Sequence, residues 1–272
     1  MGTAQRAARE VSDNPVVQVL GRVGMVCYGI VHVLLAALMA QVVLGDSGEQ
    51  TDQKGAVASI ADTSFGPFLL WVLAIGLFFF ALWQLVEAAV GYHWIAKEST
   101  RLGKRIGAAA RAVTGVVVGF AAVEYASGSG ARNSSQQQQE WTAKVLALPA
   151  GQFLVGAVAI GVLVVAFIVA RKGVQKTFEE DLDMSRLPTG SRRWVERLGR
   201  IGWIGKGLAY AIIGLLVGIA AINADPKQSG GLDKALHTLA AQPYGVFLLA
   251  VIAAGFLGFG VYCFAAARAH KG

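Results

Sequence analysis

The sequence has few charged residues for a chain of its length. Of its 272 residues, 15% are Asp, Glu, Lys or Arg, whereas a globular domain carries about 25%. Hydrophobic residues make up 55% of the chain, and they lie in blocks of about 20 residues or more rather than in amphipathic stripes. The composition therefore excludes a soluble globular protein and predicts an integral membrane protein.

Cysteine and the motifs of common catalytic sites are also scarce. The two cysteines, Cys27 and Cys263, lie in apolar segments without a CxxC partner or metal-ligand spacing, so neither a disulfide framework nor a metal site is predicted. The sequence contains no GxSxG, HExxH or P-loop motif, and no pair of carboxylates at membrane depth. We therefore assign no catalytic residue and no cofactor, and we expect a protein that is not an enzyme.

Positive charge exceeds negative charge, with 24 Lys and Arg against 17 Asp and Glu. No basic stripe with interleaved aromatic residues and no nucleic-acid-binding motif occurs, so nucleic acid is not an expected partner. In a membrane protein, basic residues gather on cytoplasmic loops and fix the orientation of the chain. The excess is therefore interpreted as a topology signal.

One stretch of sequence is repeated. Residues 20–32 read LGRVGMVCYGIVH, residues 198–210 read LGRIGWIGKGLAY, and a weaker copy at 105–115 reads RIGAAARAVTG. Each copy leads into a long apolar segment, a polar loop and a second apolar segment. The chain is therefore interpreted as one two-helix unit used three times.

Six apolar segments are long enough to cross a hydrocarbon core about 30 Å thick. They cover about 19–44, 67–90, 106–126, 150–171, 201–222 and 244–267. The predicted organisation is an N-terminal arm at 1–18, repeat 1 at 19–92, repeat 2 at 93–172, a charged linker at 173–197 and repeat 3 at 198–268. As a hypothesis, the three units pack around a pseudo-three-fold axis.

Basic residues are concentrated in the N-terminal arm and in the loops that follow the second and fourth segments. This asymmetry predicts a multi-pass protein of the cell membrane with both termini and these two loops in the cytoplasm. Aligning Gly66, Gly151 and Gly245 brings the three outward loops into register. Apolar residues then recur at spacings of three and four, which predicts a short amphipathic interfacial helix in each loop. The polar stretch 128–140 is predicted to be a flexible connector.

The triple unit resembles a bacterial membrane family that is catalogued as domain of unknown function 1206. The resemblance is carried by the Gly-Arg-x-Gly opening, by a basic or aromatic residue six positions after the Arg, and by a Tyr near Tyr210. It covers residues 20–268 and implies three two-helix repeats but no activity, so no catalytic residue is carried over. The middle copy departs most, with Lys104 at the opening Gly position and Gly115 at the Tyr position.

The candidate ligand-binding residues lie near the repeat openings. Arg22, Arg105 and Arg200 occupy equivalent positions close to the expected cytoplasmic interface. Long basic side chains at this depth also snorkel to the interface and anchor a helix. Both interpretations stay open for these three arginines.

Tyr28, Arg111 and Lys206 follow six positions later, about 9 Å deeper by helical rise. A cation at the bilayer centre costs at least about 2.5–3.5 kcal/mol, less toward the edge, and normally faces a partner or a cavity. Glu87 is the expected counter-ion by depth. Around a three-fold axis, these cations would form a basic vestibule that suits an anionic lipid headgroup or a phosphate-bearing ligand.

His32 lies near the middle of the first segment, where few polar residues occur. One interpretation is a neutral imidazole that is satisfied by a neighbouring helix. The others are a proton relay, ion binding or haem ligation, of which haem is the weakest because no second helix offers a His at mid-membrane depth.

Three function classes follow. The first is a non-catalytic scaffold or accessory subunit, with membrane lipids and another membrane protein as partners. The second is a small transporter or channel for an anionic or lipid-like ligand, and a lipid-acting enzyme is a distant third. A polar cavity that reaches Arg111, Lys206 and His32 would favour transport, whereas mutual pairing of these side chains in a tight bundle would favour the scaffold.

Overall fold

A computed structural model describes residues 15–45, 50–61, 63–92, 95–130 and 133–269, so most of the predicted N-terminal arm lies outside the described residues. The described residues are helical and contain no strand. The long helices are α1 (Pro15–Val43), α3 (Gly66–Val90), α4 (Glu98–Ala126), α6 (Gly151–Val174), α7 (Thr189–Ile222) and α9 (Gly245–Ala269), and the short ones are α2 (Gln53–Ala61), α5 (Ser134–Leu146) and α8 (Leu232–Ala240).

All six long helices contain a stretch that is long and apolar enough to cross a membrane. This confirms the predicted all-α membrane fold of three helix–short helix–helix units. Helices α4 and α7 begin earlier than the apolar segments predict, because each continues through a basic, polar stretch before its apolar part. The repeat boundaries stay a prediction, although α7 already begins within the predicted linker.

A short helix lies in the loop within each unit, as the apolar spacing of these loops predicts. The connector prediction was wrong for residues 134–140, which belong to α5. Asn133 caps this helix, since its side-chain oxygen accepts hydrogen bonds from the N–H groups of Ser135 (2.9 Å) and Gln136 (3.2 Å). A capped start followed by four glutamines, which have a good helix propensity, favours a helix over a loop.

The six long helices form an open ring in the order α4, α3, α1, α9, α7, α6. The three contacts between successive units (α3–α4, α6–α7 and α9–α1) are all present, and so are the contacts within the first and third units (α1–α3 and α7–α9). Within the described chain, α4 and α6 of the middle unit do not pack along their lengths. The pseudo-three-fold arrangement is therefore formed at five of six interfaces.

The linker between α6 and α7 covers one end of the ring, called here the basic end. Phe178 is fully buried there and packs edge-on against Tyr262 of α9, with 5.3 Å between ring centroids. The N–H of Asp183 donates a 2.6 Å hydrogen bond to the carbonyl of Ala269 at the end of α9. The linker is thus an ordered part of the bundle.

Candidate functional site

Lys206 of α7 lies inside the ring and is only 4% exposed. Its neighbours Gly205 and Gly207 allow α7 to approach two helices closely: a Cβ on Gly205 would lie 2.8 Å from the Cα of Gly255, and one on Gly207 would lie 2.7 Å from the Cβ of Ala170. The close packing of α9 and α6 on either side of Lys206 directs its side chain toward the interior.

The amino group of Lys206 contacts α1 and an aromatic ring. Nζ donates a hydrogen bond to the hydroxyl of Tyr28 at 3.1 Å and lies 3.2 Å from Nε2 of His32. It also lies 3.9 Å from the ring centroid of Phe259, in cation–π range. Lys206 therefore joins the first and third units.

The hydrogen bonds of His32 assign its tautomer. Its Nδ1 lies 2.8 Å from the carbonyl oxygen of Tyr28, one turn earlier in α1. Because a carbonyl can only accept, Nδ1 carries the proton, and Nε2 is left as the acceptor for Lys206. The fully buried imidazole is thus satisfied by its own helix and by α7, in agreement with the first interpretation of His32.

No acidic side chain within the described residues lies within 4.0 Å of Lys206. A charged lysine has three N–H donors, and two of them are used by Tyr28 and His32. A buried charge without a counter-ion is costly. Within the described residues, the charged form of Lys206 therefore has no anionic partner.

Arg111 of α4 is half-buried and contacts neutral groups. Its Nη2 donates to the hydroxyl of Tyr92 at 2.9 Å and to the side-chain oxygen of Gln84 at 3.4 Å. A left-handed backbone conformation at Tyr92 (φ 61°) turns the chain back after α3. Burial raises the pKa of Tyr92 to about 12, against a smaller opposing effect of the Arg111 charge. The phenol is thus neutral at physiological pH, so its hydrogen bond to Arg111 is not an ion pair.

Glu87 was the expected counter-ion, and the structure does not pair it. It is buried in α3, and its Oε2 accepts no hydrogen bond from any described residue. No ion pair joins it to Arg111 or Lys206 in the described part of the chain. The interior of the ring therefore contains the side chains of Arg111, Lys206 and Glu87 without an ion pair among these three residues.

The three equivalent arginines lie apart from Lys206. Arg22 and Arg200 are exposed, and Arg105 is half-buried with its Nε 3.3 Å from the carbonyl oxygen of Gly91. These positions agree with interfacial anchoring. Of the predicted site residues, the structure brings together Tyr28, His32 and Lys206, with Arg111 close enough to Lys206 to repel its charge.

A second charged cluster, which was not predicted as a site, lies at the basic end. Asp181 of the linker accepts hydrogen bonds from Lys104 of α4 (2.7 Å) and from Lys172 of α6 (3.2 Å). Aligning Gly66 with Gly151 places Lys172 at the position of Glu87, a signal that could have identified it. Nothing in the sequence pattern indicates that Asp181 bridges the two helices.

The arrangement as a whole offers hydrogen-bond donors to an anionic group. Arg111 and Lys206 present N–H donors in an interior of low polarity, where charge-assisted hydrogen bonds are strong. Their protein partners are neutral. An anionic group would complete the coordination of both side chains.

Comparison with known proteins gives the family. The sequence profile of the family described as Domain of Unknown Function (DUF1206) matches three times, at residues 23–91, 106–176 and 201–270. An uncharacterized protein of Bacillus subtilis (strain 168), YxxB, is 30% identical over 249 residues, which cover 92% of this chain and 90% of that protein. No solved structure matches the chain. The three matches fall on the three structural units, and the chain belongs to the family of domain of unknown function 1206.

Proposed function

We propose that this protein is a non-catalytic binding or transport protein of the cell membrane, which takes an anionic ligand into the interior of its helix ring. The observation that carries the proposal is the environment of Lys206, which is buried in the ring with only neutral partners. Arg111 repeats the pattern on the neighbouring unit. Ionisable side chains inside a membrane are rare, and they mark ligand and ion pathways.

The proposal places the basic end of the ring in the cytoplasm. Support comes from the charge distribution, since the largest cluster of basic residues, eight of the 24 Lys and Arg, lies at 171–200, in the end of α6, the linker and the start of α7. The start of α1 and the end of α9 lie on the same side as these loops if the six helices cross the membrane. Arg111 and Lys206 then lie in the cytoplasmic half of the bilayer, near the headgroups of the inner leaflet.

A scaffold or accessory subunit is the second candidate function. It is favoured by the mutual hydrogen bonds of Tyr28, His32 and Lys206, which satisfy these groups in part without a ligand. It is also favoured by the close glycine contacts between helices, which are typical of membrane helix packing. The two functions differ in whether the site binds an anion.

The test measures binding of anionic and neutral phospholipids to the purified protein in a non-ionic detergent, by native mass spectrometry. We expect phosphatidylglycerol to bind more tightly than phosphatidylcholine. Lys206→Met and Arg111→Met should each lower the affinity for phosphatidylglycerol by about 10- to 100-fold, because a hydrogen bond to a charged group contributes about 1.5–3 kcal/mol.

The matched control is Arg200→Met, which removes one positive charge from an exposed position outside the ring. We expect it to leave the preference for phosphatidylglycerol unchanged. Equal binding of both lipids to the wild-type protein, or equal losses in all three variants, would contradict the proposal and favour the scaffold.

A further inference from the structure

The first and third units close by the same contact. In the first unit, a Cβ on Gly24 of α1 would clash with the backbone of Phe80 in α3. In the third unit, a Cβ on Gly202 of α7 would lie 2.7 Å from the Cα of Phe259 in α9. The residues of each pair occupy equivalent positions in the repeats. Glycine thus allows the two helices of a unit to touch.

In the middle unit, the equivalent glycines are present, but they do not touch the other helix of the unit. Gly107 of α4 is equivalent to Gly24 and Gly202, but a Cβ on it would meet only the Arg111 side chain of its own helix, at 3.4 Å. Gly161 of α6 is equivalent to Gly76 and Gly255, which both lie against the partner helix of their unit. A Cβ on Gly161 would meet nothing within 4 Å. This region is called the α4–α6 gap.

The exposure of side chains on α6 is further evidence for the α4–α6 gap. Val158 and Val165 of α6 are 58% and 49% exposed. The equivalent residues of α3 and α9 are all at most 4% exposed: Leu73, Phe80, Ile252 and Phe259. The face of α6 that should close the ring is therefore open, and it is lined by apolar side chains.

Both ends of the gap are bridged by protein. At the basic end, Asp181 holds Lys104 and Lys172 together across it. At the opposite end, α5 connects α4 to α6 and is joined to the neighbouring unit by a 3.1 Å hydrogen bond from Ser229 to Thr142. Access through the gap is therefore sideways, from the hydrocarbon core of the membrane.

The dimensions of the gap fit an acyl chain below a headgroup. From Lys172 to Gly161, α6 rises about 16 Å at 1.5 Å per residue, which is close to half of a hydrocarbon core about 30 Å thick. Arg111 borders the gap, because one of its terminal nitrogens covers Gly107. The basic side chains Lys104, Arg111 and Lys172 thus lie at one end of an apolar channel that is about one leaflet deep.

We infer that the α4–α6 gap is a lateral binding groove for an anionic lipid, whose acyl chain lies along Gly161 and whose headgroup reaches Arg111 and Lys206. The inference rests on the proposed function and narrows its ligand from any anion to a membrane amphiphile. The route of access supports a lipid over a water-soluble anion, since Arg111 borders the apolar gap while both ends of the gap are bridged by protein.

The test compares two leucine substitutions on α6. Gly161→Leu fills the gap, whereas Gly156→Leu is the matched control. A Cβ on Gly156 also meets nothing within 4 Å, but this position is equivalent to the exposed Trp71 on the outer surface of α3. Both changes replace a helical glycine by the same residue, so their effects on helix propensity are alike.

In nanodiscs of phosphatidylcholine, we expect Gly161→Leu to lower the affinity for long-chain phosphatidylglycerol by about tenfold or more, and Gly156→Leu to leave it unchanged. Soluble glycerol phosphate should compete poorly with the lipid. A phosphatidylglycerol with a photoactivatable group in its acyl chain should crosslink to α4 and α6, which gives a readout on the wild-type protein.

The outcomes separate this inference from the proposed function. If Lys206→Met weakens lipid binding while Gly161→Leu does not, the anion site stands and the lateral groove is wrong. Glycerol phosphate that binds as tightly as the lipid would overturn the lipid inference in favour of a soluble anion. Crosslinks to a second copy of the chain at α4 and α6 would show that a helix, not a lipid, fills the gap. If neither Lys206→Met nor Gly161→Leu has an effect, both proposals fail.

Discussion

Lys206 of α7 donates a hydrogen bond to Nε2 of His32 of α1 across the interior of the ring, at 3.2 Å. Lys206 is the donor in this bond, because Nδ1 of His32 carries the imidazole proton and donates it to a backbone carbonyl of α1. The pair links the first unit to the third without an acidic residue. We therefore expect substitutions on α1 or α7 to change the hydrogen bonding of the His32 imidazole.

The first prediction concerns the tautomer of His32. We expect the proton on Nδ1, because the carbonyl oxygen of Tyr28 at 2.8 Å can only accept. Nitrogen-15 NMR of histidine-labelled protein distinguishes the two tautomers. In Lys206→Met the Nε2 resonance should shift, because this nitrogen loses its donor. A proton on Nε2 in the wild-type protein would contradict the assigned hydrogen bonds.

The second prediction concerns stability without a ligand. Lys206→Met removes two hydrogen bonds but also removes a buried basic group that lacks an acidic partner. We expect these effects to offset each other within about 1 kcal/mol of unfolding free energy, whereas breaking a buried ion pair costs about 3–5 kcal/mol. The unfolding transition in micelles measures this, with Arg200→Met as reference. A loss as large as that of an ion pair would assign Lys206 a structural role.

The third prediction concerns the bridge at the basic end. Asp181→Asn should lower the unfolding free energy by about 3 kcal/mol, because it leaves two partly buried lysines without their shared carboxylate. Glu180→Gln is the matched control, since Glu180 also pairs with Lys104 but is 48% exposed. Its loss should stay below about 1 kcal/mol. Equal effects of the two substitutions would show that Asp181 does not hold α4 and α6 together.

The fourth prediction concerns alkaline pH. The pKa of Tyr92 is raised from 10.0 to about 12, chiefly by burial, so the folded protein favours the neutral phenol. The free energy of unfolding that depends on the neutral Tyr92 is fully present below pH 10 and is lost as the pH rises to about 12. At neutral pH, Tyr92→Phe should be less stable than the wild type, because it lacks the hydrogen bond from Arg111. It should also lose less stability between pH 10 and pH 12. Parallel curves of unfolding free energy against pH for the two proteins would contradict this prediction.

The sequence predicts much of the fold because its apolar segments and its repeats are local signals. Alignment of Gly66, Gly151 and Gly245 is sufficient to find the short helices α2, α5 and α8. The polar composition of 134–140 is typical of a loop, but the side chain of Asn133 caps a helix that begins there. Local composition therefore fails where a single capping side chain decides between a helix and a loop.

The candidate site was predicted only in part. The equivalence of Tyr28, Arg111 and Lys206 predicts that they share a depth, and two of them do meet. The pairing of Glu87 with a cation does not follow from depth, because depth does not specify which way a side chain points around its helix. The α4–α6 gap was not predictable either, since Gly107 and Gly161 have the same residue type as the glycines that close the other two units.

The most direct test of the account is a cryo-electron microscopy structure of the protein in nanodiscs that contain phosphatidylglycerol. We expect density for a lipid headgroup within hydrogen-bond distance of Arg111 and Lys206, continuous with an acyl chain that passes Gly161 between α4 and α6. A closed middle unit, in which Gly107 packs against α6 as Gly24 packs against α3, with no density at Lys206, would contradict it.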